Sequence, residues 1–521
     1  MSNFSPNQTV SKKIVRSEGG VVAAQHVGAA AIGARVLAEG GNAMDAAVAT
    51  SFALGVIEPW MSGIGGGGLM VVRHPDGAVN SVDFGMHTAA GLRPEDYPLE
   101  EGEAEGLFAW PAVKGNRNMT GPLAIAVPGA VDGVGTAHAV WGRKPWEELV
   151  APAVDLARAG LSVDWYATMV IGQAAHSLRN YDATREWFLP DGAPPAVPLT
   201  PRGVSRLTAP RLAGTLETIM REGPRSFYEG PLAARIAADA RAMGSDLNVD
   251  DLSGYHARIL NPLAIEHRNT RIWAMPELSA GPTLAHVLRE HAATSANVKE
   301  PDADWYLSMA NALKTAYEAR LSKMGDVDGA RDIGCTSHFS VVDRDGMVVS
   351  QTQTLLSVFG SMVTFPQSGV LMNNGVFWFD PRPGRPNSLA PGKRCLSNMC
   401  PIVLERPDGG VFGLGASGGR RIMPAVAQLA TFVAEFGMEL EQALHHPRID
   451  MSGSSVLIAD KKLDAPTLAA LSGQFDVHLT NRTVFPSWFA NISAVQVDGT
   501  DRVGGSEPCL PWSDAVPASN S

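Results

Sequence analysis

The stretch FSVVDRDGMVVSQTQTL, residues 339–355, constrains the fold more than any other. Two alternating, β-branched runs flank the turn sequence Asp343-Arg344-Asp345-Gly346, so the chain folds back on itself there as an antiparallel hairpin. The hairpin opens at Thr336-Ser337 and divides two regimes. Before it, residues 20–58 read as Ala-rich and helical with an interruption at Gly40-Gly41, and helical patterns return at 146–160, 209–243 and 303–323. A glycine run leads into a strand pair that turns at Pro75-Asp76-Gly77. After the hairpin, strands are expected at 369–372 and 401–405, then helices at about 421–436 and 438–445. The Pro-, Gly- and polar-rich stretches 83–120 and 184–208 read as long surface or lid-like connections.

With 521 residues, 45% hydrophobic and 18% charged, the chain can bury a large core as one domain or as two fused lobes. A net charge of −11 and no Lys/Arg-rich run speak against nucleic acid and anionic membrane, leaving small molecules as the expected partners. No segment is apolar enough to span a bilayer, and no apolar stretch follows Lys12 and Lys13 as in a secretory signal, so a cytoplasmic location is expected. Four cysteines without a CxxC pair, Cys335, Cys395, Cys400 and Cys509, read as free thiols. The one close histidine pair, His445-His446, is adjacent, so its rings diverge on a helix or a strand and no metal site is expected.

Three motifs carry candidate chemistry. Gly63-Ile64-Gly65-Gly66-Gly67-Gly68 satisfies GxGxxG, but it follows a helix and enters a strand, the reverse of the dinucleotide order. It reads as a tight backbone passage, and no cofactor is expected. Gly415-Ala416-Ser417-Gly418-Gly419 satisfies GxSxG between an apolar stretch and a helix, the setting of a nucleophile elbow, and a triad would continue through Asp450 and His478. Against that, an α/β-hydrolase needs alternating strand-helix units, whereas the preceding hundred residues read as a strand meander. Thr336 is the third. As a lone threonine it is a strand former. As a nucleophile it would become an N-terminus once the Cys335–Thr336 bond is broken. Its α-amine, titrating near ~7.7–8.0, would then be the general base for its own hydroxyl.

Over nearly its whole length the sequence resembles the γ-glutamyltransferase family. The matching stretches are GGNAMDAAVA (40–49), GIGGGGLM (63–70), VPGAVDG (127–133), FYEGPLA (227–233), TSHFSVVD (336–343), LMNN (371–374), PGKRCLSNMCP (391–401) and GASGGRR (415–421). Members are N-terminal-nucleophile (Ntn) hydrolases that cut themselves in two. The resemblance therefore implies an α+β fold, the four-layer αββα sandwich. Residues 1–335 and 336–521 would be the large and small portions of one Ntn domain, associated as a heterodimer, with any further dimerisation left open. It also implies Thr336 as self-cleaving nucleophile, Thr354 as the threonine that hydrogen-bonds it, and the backbone N–H groups of Gly418 and Gly419 as the oxyanion hole. Ser397 matches one of two consecutive serines that touch substrate, and the second position is Asn398.

The departures from the family bear on the substrate. The arginine that holds a glutamyl α-carboxylate is absent, because Asp83-Phe84 is followed by Gly85. The three residues that hold the α-amine are replaced by Leu356, Gly375 and Trp378. Phe377, Trp378 and Phe379 would line an apolar acyl pocket, and unpaired glutamate charges there would cost roughly several kcal/mol. Arg420 stands where the family has a small residue and is a candidate for an acid group, although an arginine opening a helix is most often solvated. The expected activity is hydrolysis of a small or aromatic acyl amide through a Thr336 acyl-enzyme, as in the oxamate amidohydrolase and cephalosporin-type acylase branches. The alternatives are a glutathione hydrolase or γ-glutamyltransferase, a Ser417 hydrolase with an intact chain, and a scaffold protein whose Cys335–Thr336 bond is never cut.

Overall fold

Alternation along the strands sorts their side chains into three separate apolar layers, and these layers define the architecture. The computed structural model describes residues 10–103, 110–197, 203, 205–295, 298–324 and 335–519. The elements that position the site are strand β1 (Gly20–Ala24), helices α1 (Val27–Ala38) and α2 (Ala43–Ile57), strand β2 (Gly67–Arg73), helix α3 (Trp165–Leu178), strands β3 (Cys335–Asp343), β4 (Val348–Leu356) and β5 (Val411–Ser417), and helix α4 (Ile422–Phe436).

One seven-stranded antiparallel sheet runs in the order Asp514–Pro517, β1, β3, β4, β2, Val79–Phe84, Arg258–Leu260. The other runs Val15–Ser17, Asp501–Ser506, Asn491–Asp498, β5, Ile402–Glu405, Thr270–Ala274, Leu263–His267, again antiparallel. Val22, Met70, Phe339 and Val341 pack outward against α1 and α2. Their neighbours Val21, Leu69, Val71 and Val342 pack inward against Val403, Val411 and Val495 of the second sheet. On the far side Ile402, Leu404, Phe412 and Leu414 pack against α4 and the helices Gly281–Thr294 and Ala303–Met324. Helices, sheet, sheet and helices make the four-layer αββα sandwich that the resemblance implied.

Glycine sets how close the sheets come. A Cβ on Gly415 would lie 2.4 Å from the ring of His338, and one on Gly413 would lie 2.4 Å from Val348 Cγ1. Any side chain there would push β5 off β3 and β4. Helix α2 is tied at its start by Asn42 and Asp45, which bond each other's backbone N–H groups at 3.0 and 2.9 Å.

Several sequence expectations need correction. Gly20–Ala24 is a fully buried strand rather than helix, since a five-residue apolar run carries no period that separates the two. Residues 369–372 contribute a single bridge, Thr364 to Leu371, and no strand. The stretch 83–120 is no free lid, because Met86, Leu92, Tyr97 and Trp110 fill the inter-sheet layer. The stretch 184–208 begins inside a helix, Asp182–Phe188, that buries Trp187 and Phe188, while residues 198–202 and 204 lie outside the described ones. Among the described residues no helix is long and apolar enough to cross a membrane.

Candidate active site

Pairing between β3 and β4 is regular from Val342 back to Ser337, which faces Gln353, and then shifts so that Cys335 faces Leu356. Thr354 and Leu355 therefore oppose Thr336 alone, a bulge that re-aims the side chains on either side of it. Thr336 and Thr354 are 4% and 1% exposed. The Thr354 hydroxyl oxygen accepts from Leu356 N at 2.8 Å, and Leu356 has φ +84°, a left-handed conformation that costs a leucine about 1–3 kcal/mol. Strain of this kind gathers at functional sites, and here it sits two residues from Thr354.

By strand alternation Thr336, His338 and Ser340 face the second sheet, and Ser337 faces the helices. His338 is buried between Thr352 Oγ1 at 2.8 Å and Ser340 Oγ at 3.0 Å, and burial lowers its pKa to about 3, so it stays neutral. On the helical face Ser337 Oγ donates to Glu58 Oε2 at 3.1 Å and accepts from Ser62 Oγ at 3.0 Å. Gln353 Nε2 donates to Ser62 Oγ at 3.0 Å, and Ser51 Oγ donates to Gln353 Oε1 at 2.5 Å. Burial raises the Glu58 carboxyl to about 8, against the smaller opposing effect of its bond from Ser337. No motif marked this network.

The end of β5 reaches the same place from the other sheet. His338 lies on Gly415, Ser350 Oγ donates to Leu414 O at 2.9 Å, and Gln25, which follows β1, donates to the hydroxyl of Ser417. The march of these contacts carries the first residues of β3 toward the turn at Gly418 (φ +131°) and Gly419 (φ +59°), conformations that glycine adopts without penalty. The geometry does not support the GxSxG reading. Ser417 is an ordinary, fully buried strand residue without the positive φ of a strained elbow, and its hydroxyl accepts from Gln25. Of its supposed partners, Asp450 accepts from Ser452 Oγ at 2.8 Å, and His478 is an exposed residue against the Trp488 ring.

The glycine run is the tight passage expected of it. Cβ atoms on Gly65, Gly66 and Gly68 would fall 2.2, 2.2 and 2.4 Å from the carbonyl oxygens of Leu371, Thr354 and Thr352, so the run lies directly on β4. Asn373, of the LMNN stretch, binds Gly65 O, Ala126 O, Ala126 N and Gly375 N at 2.7 to 3.0 Å and locks that wall in place.

The expected substrate residues divide. Gly375 lines no space, because its Cβ would fall 2.7 Å from Ala126 Cβ and 3.3 Å from Met86 Sδ. Phe377 is fully buried in the inter-sheet layer, so core packing claims it rather than a pocket. Leu356 joins the same layer. Gly85 ends a strand, with its N–H on Asp83 Oδ1 at 2.8 Å and its carbonyl accepting from Tyr255 Oη at 2.8 Å. Ser397 Oγ accepts from Met399 N at 3.0 Å. Trp378, Asn398 and Arg420 come together instead around a cavity of about 20 Å³, with Trp110, Tyr317 and Arg320. Arg420 is 2% exposed, not solvated. Arg320, which the sequence reading missed, donates to Ser279 O, Thr283 Oγ1, Ser397 O and Asn398 Oδ1 at 2.8 to 3.2 Å, all neutral. Burial lowers its pKa to about 10, and Arg420 adds to the lowering. Gly418 borders a second, larger cleft of about 360 Å³.

The sequence model of the family described as Gamma-glutamyltranspeptidase matches residues 29–334 and 328–511. The chain belongs to the gamma-glutamyltranspeptidase family. Within it, the chain is 30% identical to the glutathione hydrolase proenzyme of Bacillus subtilis (strain 168), covering 94% of this chain and 89% of that one. It is 32% identical to the acylase ACY 1 proenzyme of Pseudomonas sp. (strain V22), covering 85% of each. The crystal structure of cephalosporin acylase from Bacillus halodurans superposes with a TM-score of 0.84 at 23% identity, over 100% of this chain and 99% of that one. The Ntn-hydrolase fold is thereby shared, and family membership with acylase relatives supports an amide hydrolase or transferase.

Proposed function

We propose that the protein matures by cleaving its own Cys335–Thr336 bond, into a large fragment of 335 residues and a small one of 521 − 335 = 186, and then hydrolyses amides of a small, non-γ-glutamyl acyl group. The observation that carries the reading is the bulge that sets Thr336 alone against Thr354 and Leu355 at the buried end of β3, where β5 ends in two glycines.

The chemistry needs no other nucleophile or base. The Thr336 hydroxyl attacks the amide carbonyl carbon while its α-amine takes up the proton. Thr354, whose oxygen accepts from Leu356 N, would donate to the Thr336 oxygen, the role that the family resemblance gives it. The Gly418 and Gly419 N–H groups stabilise the oxyanion. The amine departs with the proton held by the α-amine, and water then cleaves the Thr336 ester.

The polar groups on the small cavity include several donors. Arg320 and Arg420 bring two guanidinium charges, and Trp378 Nε1 is buried with no acceptor among the described residues. An acyl group bearing an acceptor, a carboxylate above all, suits such donors, and a space of about 20 Å³ leaves no room for an aromatic ring. A glutamyl ammonium would face like charges there, and Gly375 leaves no room for the side chain that would offset it.

Intact mass and a denaturing gel of the purified protein, beside Thr336→Ala, provide the test. Fragments of about 35 and 20 kDa, the smaller starting at Thr336 and both absent from the variant, are expected. A single 55.0 kDa species with amidase activity would overturn the reading, and a single inactive species would favour the scaffold.

A further inference from the structure

A third hollow, of about 250 Å³, shares no lining residue with the cavity at Arg420 or the cleft at Gly418 among the described residues. Helix Asp182–Phe188 gives it Ala183, Glu186 and Trp187, and the start of helix Pro210–Glu222 gives it Arg211 and Leu212. The segment after β4 supplies Thr364 and Gly369. Glycine permits that close approach, because Gly369 has φ +70° and a Cβ there would lie 2.5 Å from Leu212 N.

The hollow carries both signs of charge and an unused hydroxyl. Arg211 Nη1 and Glu186 Oε2 pair at 3.1 Å, and both side chains are about half exposed, so each keeps bonding capacity for a third group. Helix Pro210–Glu222 begins after Ala209, which has no side chain to cap it, so the positive helix end adds to Arg211 on the same wall. Thr364 is 3% exposed, and its hydroxyl has no partner among the described residues. Trp187 and Leu212, both buried, supply the apolar surface.

We propose that this hollow binds a free α-amino acid with a branched or single-ring apolar side chain. The ligand carboxylate takes Arg211, the first-turn N–H groups and the Thr364 hydroxyl, the ammonium takes Glu186, and the side chain lies on Trp187 and Leu212. A simple anion would meet the Glu186 carboxylate, and a simple cation would meet Arg211 and the helix end. A zwitterion matches both. The volume falls below the ~300–1,000 Å³ usual for drug-sized ligands, which limits the side chain to one ring. The inference is independent of the amidase reading, since it invokes none of the residues placed at Thr336.

The test is calorimetric titration of the purified protein at pH 7 with L-leucine, 4-methylpentanoate and 3-methylbutylamine, which share one apolar branch and differ in charge. Leucine is expected to bind with a Kd on the order of 1 mM or below, and each analogue about 10-fold more weakly. Glu186→Gln should erase leucine's lead over 4-methylpentanoate, and Arg211→Met its lead over 3-methylbutylamine. An unchanged melting temperature checks that these half-exposed substitutions leave the fold intact. No saturable binding of leucine, an analogue that binds as well as leucine, or a lead that survives either variant would overturn the inference.

Discussion

Glu58 gives a test of the packing beneath the nucleophile that does not depend on catalysis. Its carboxyl has an ordinary value of 4.5, and burial raises it to about 8. Below pH 4.5 it is protonated in both the folded and unfolded chain and adds no pH dependence. Between 4.5 and about 8 the unfolded chain has released the proton and the folded chain keeps it, so stability falls as pH rises, by up to ~1.4 kcal/mol per unit. Over that window the loss is on the order of 3–5 kcal/mol, and above about pH 8 it is complete. Glutamine reproduces the shape of the protonated carboxyl and keeps an oxygen for Ser337, so Glu58→Gln removes the loss. The measurement is the urea midpoint from pH 5 to 9 in a Thr336→Ala background, where unfolding involves one covalent chain and no α-amine at residue 336. The variant should match its parent near pH 5 and exceed it by several kcal/mol near pH 8. A gap that stays constant across the range would refute the buried, protonated Glu58.

Two further outcomes follow from the same site. If the Thr336 α-amine is the base, the acid limb of kcat/KM should rise near ~7.7–8.0, whereas a limb near 6.5 would point to a histidine. His338, lowered to about 3, is not a candidate for that limb. Arg320→Met removes a buried charge from the small cavity and frees the loop at Ser397 and Asn398. Initial rates should drop by about 10–100-fold for acid-bearing acyl amides and by less for neutral ones, and an equal drop would reject the cavity as an acid site.

The hairpin of β3 and β4 is legible because its alternation spans nine residues on each side of a turn whose Gly346 takes φ +85°. The interruption at Gly40-Gly41 likewise falls between α1 and α2, where Asn42 and Asp45 cap the second helix through local bonds. Legibility ends where tertiary context decides. Gly20–Ala24 is a strand only because β3 and Asp514–Pro517 lie on either side of it. Arg420 sits at the kind of position where arginine is normally solvated, and Tyr317, from a helix a hundred residues upstream, covers it and donates to its carbonyl. Phe377 belongs to a run of three aromatics, and only its full burial among inter-sheet residues such as Trp110, whose Nε1 donates to Phe377 O at 3.0 Å, shows that it faces the core. The larger cleft was invisible, because its walls come from residues 60, 166, 358, 418 and 485, each unremarkable in its own stretch.

The order of strands in the two sheets has a further consequence. In the first sheet β3 and β4 lie between β1 and β2, and in the second β5 and its C-terminal neighbours lie between Val15–Ser17 and Thr270–Ala274. Each sheet thus interleaves segments from both sides of residue 336. Two polypeptides born from a cut there would be laced together through both sheets, and neither could drift away without tearing out strands hydrogen-bonded on both edges. Dilution would not separate them, and a native sizing column would not register the cut. The pair would melt as one cooperative body, and because melting would release two chains, its midpoint would rise with protein concentration, unlike that of the uncut chain.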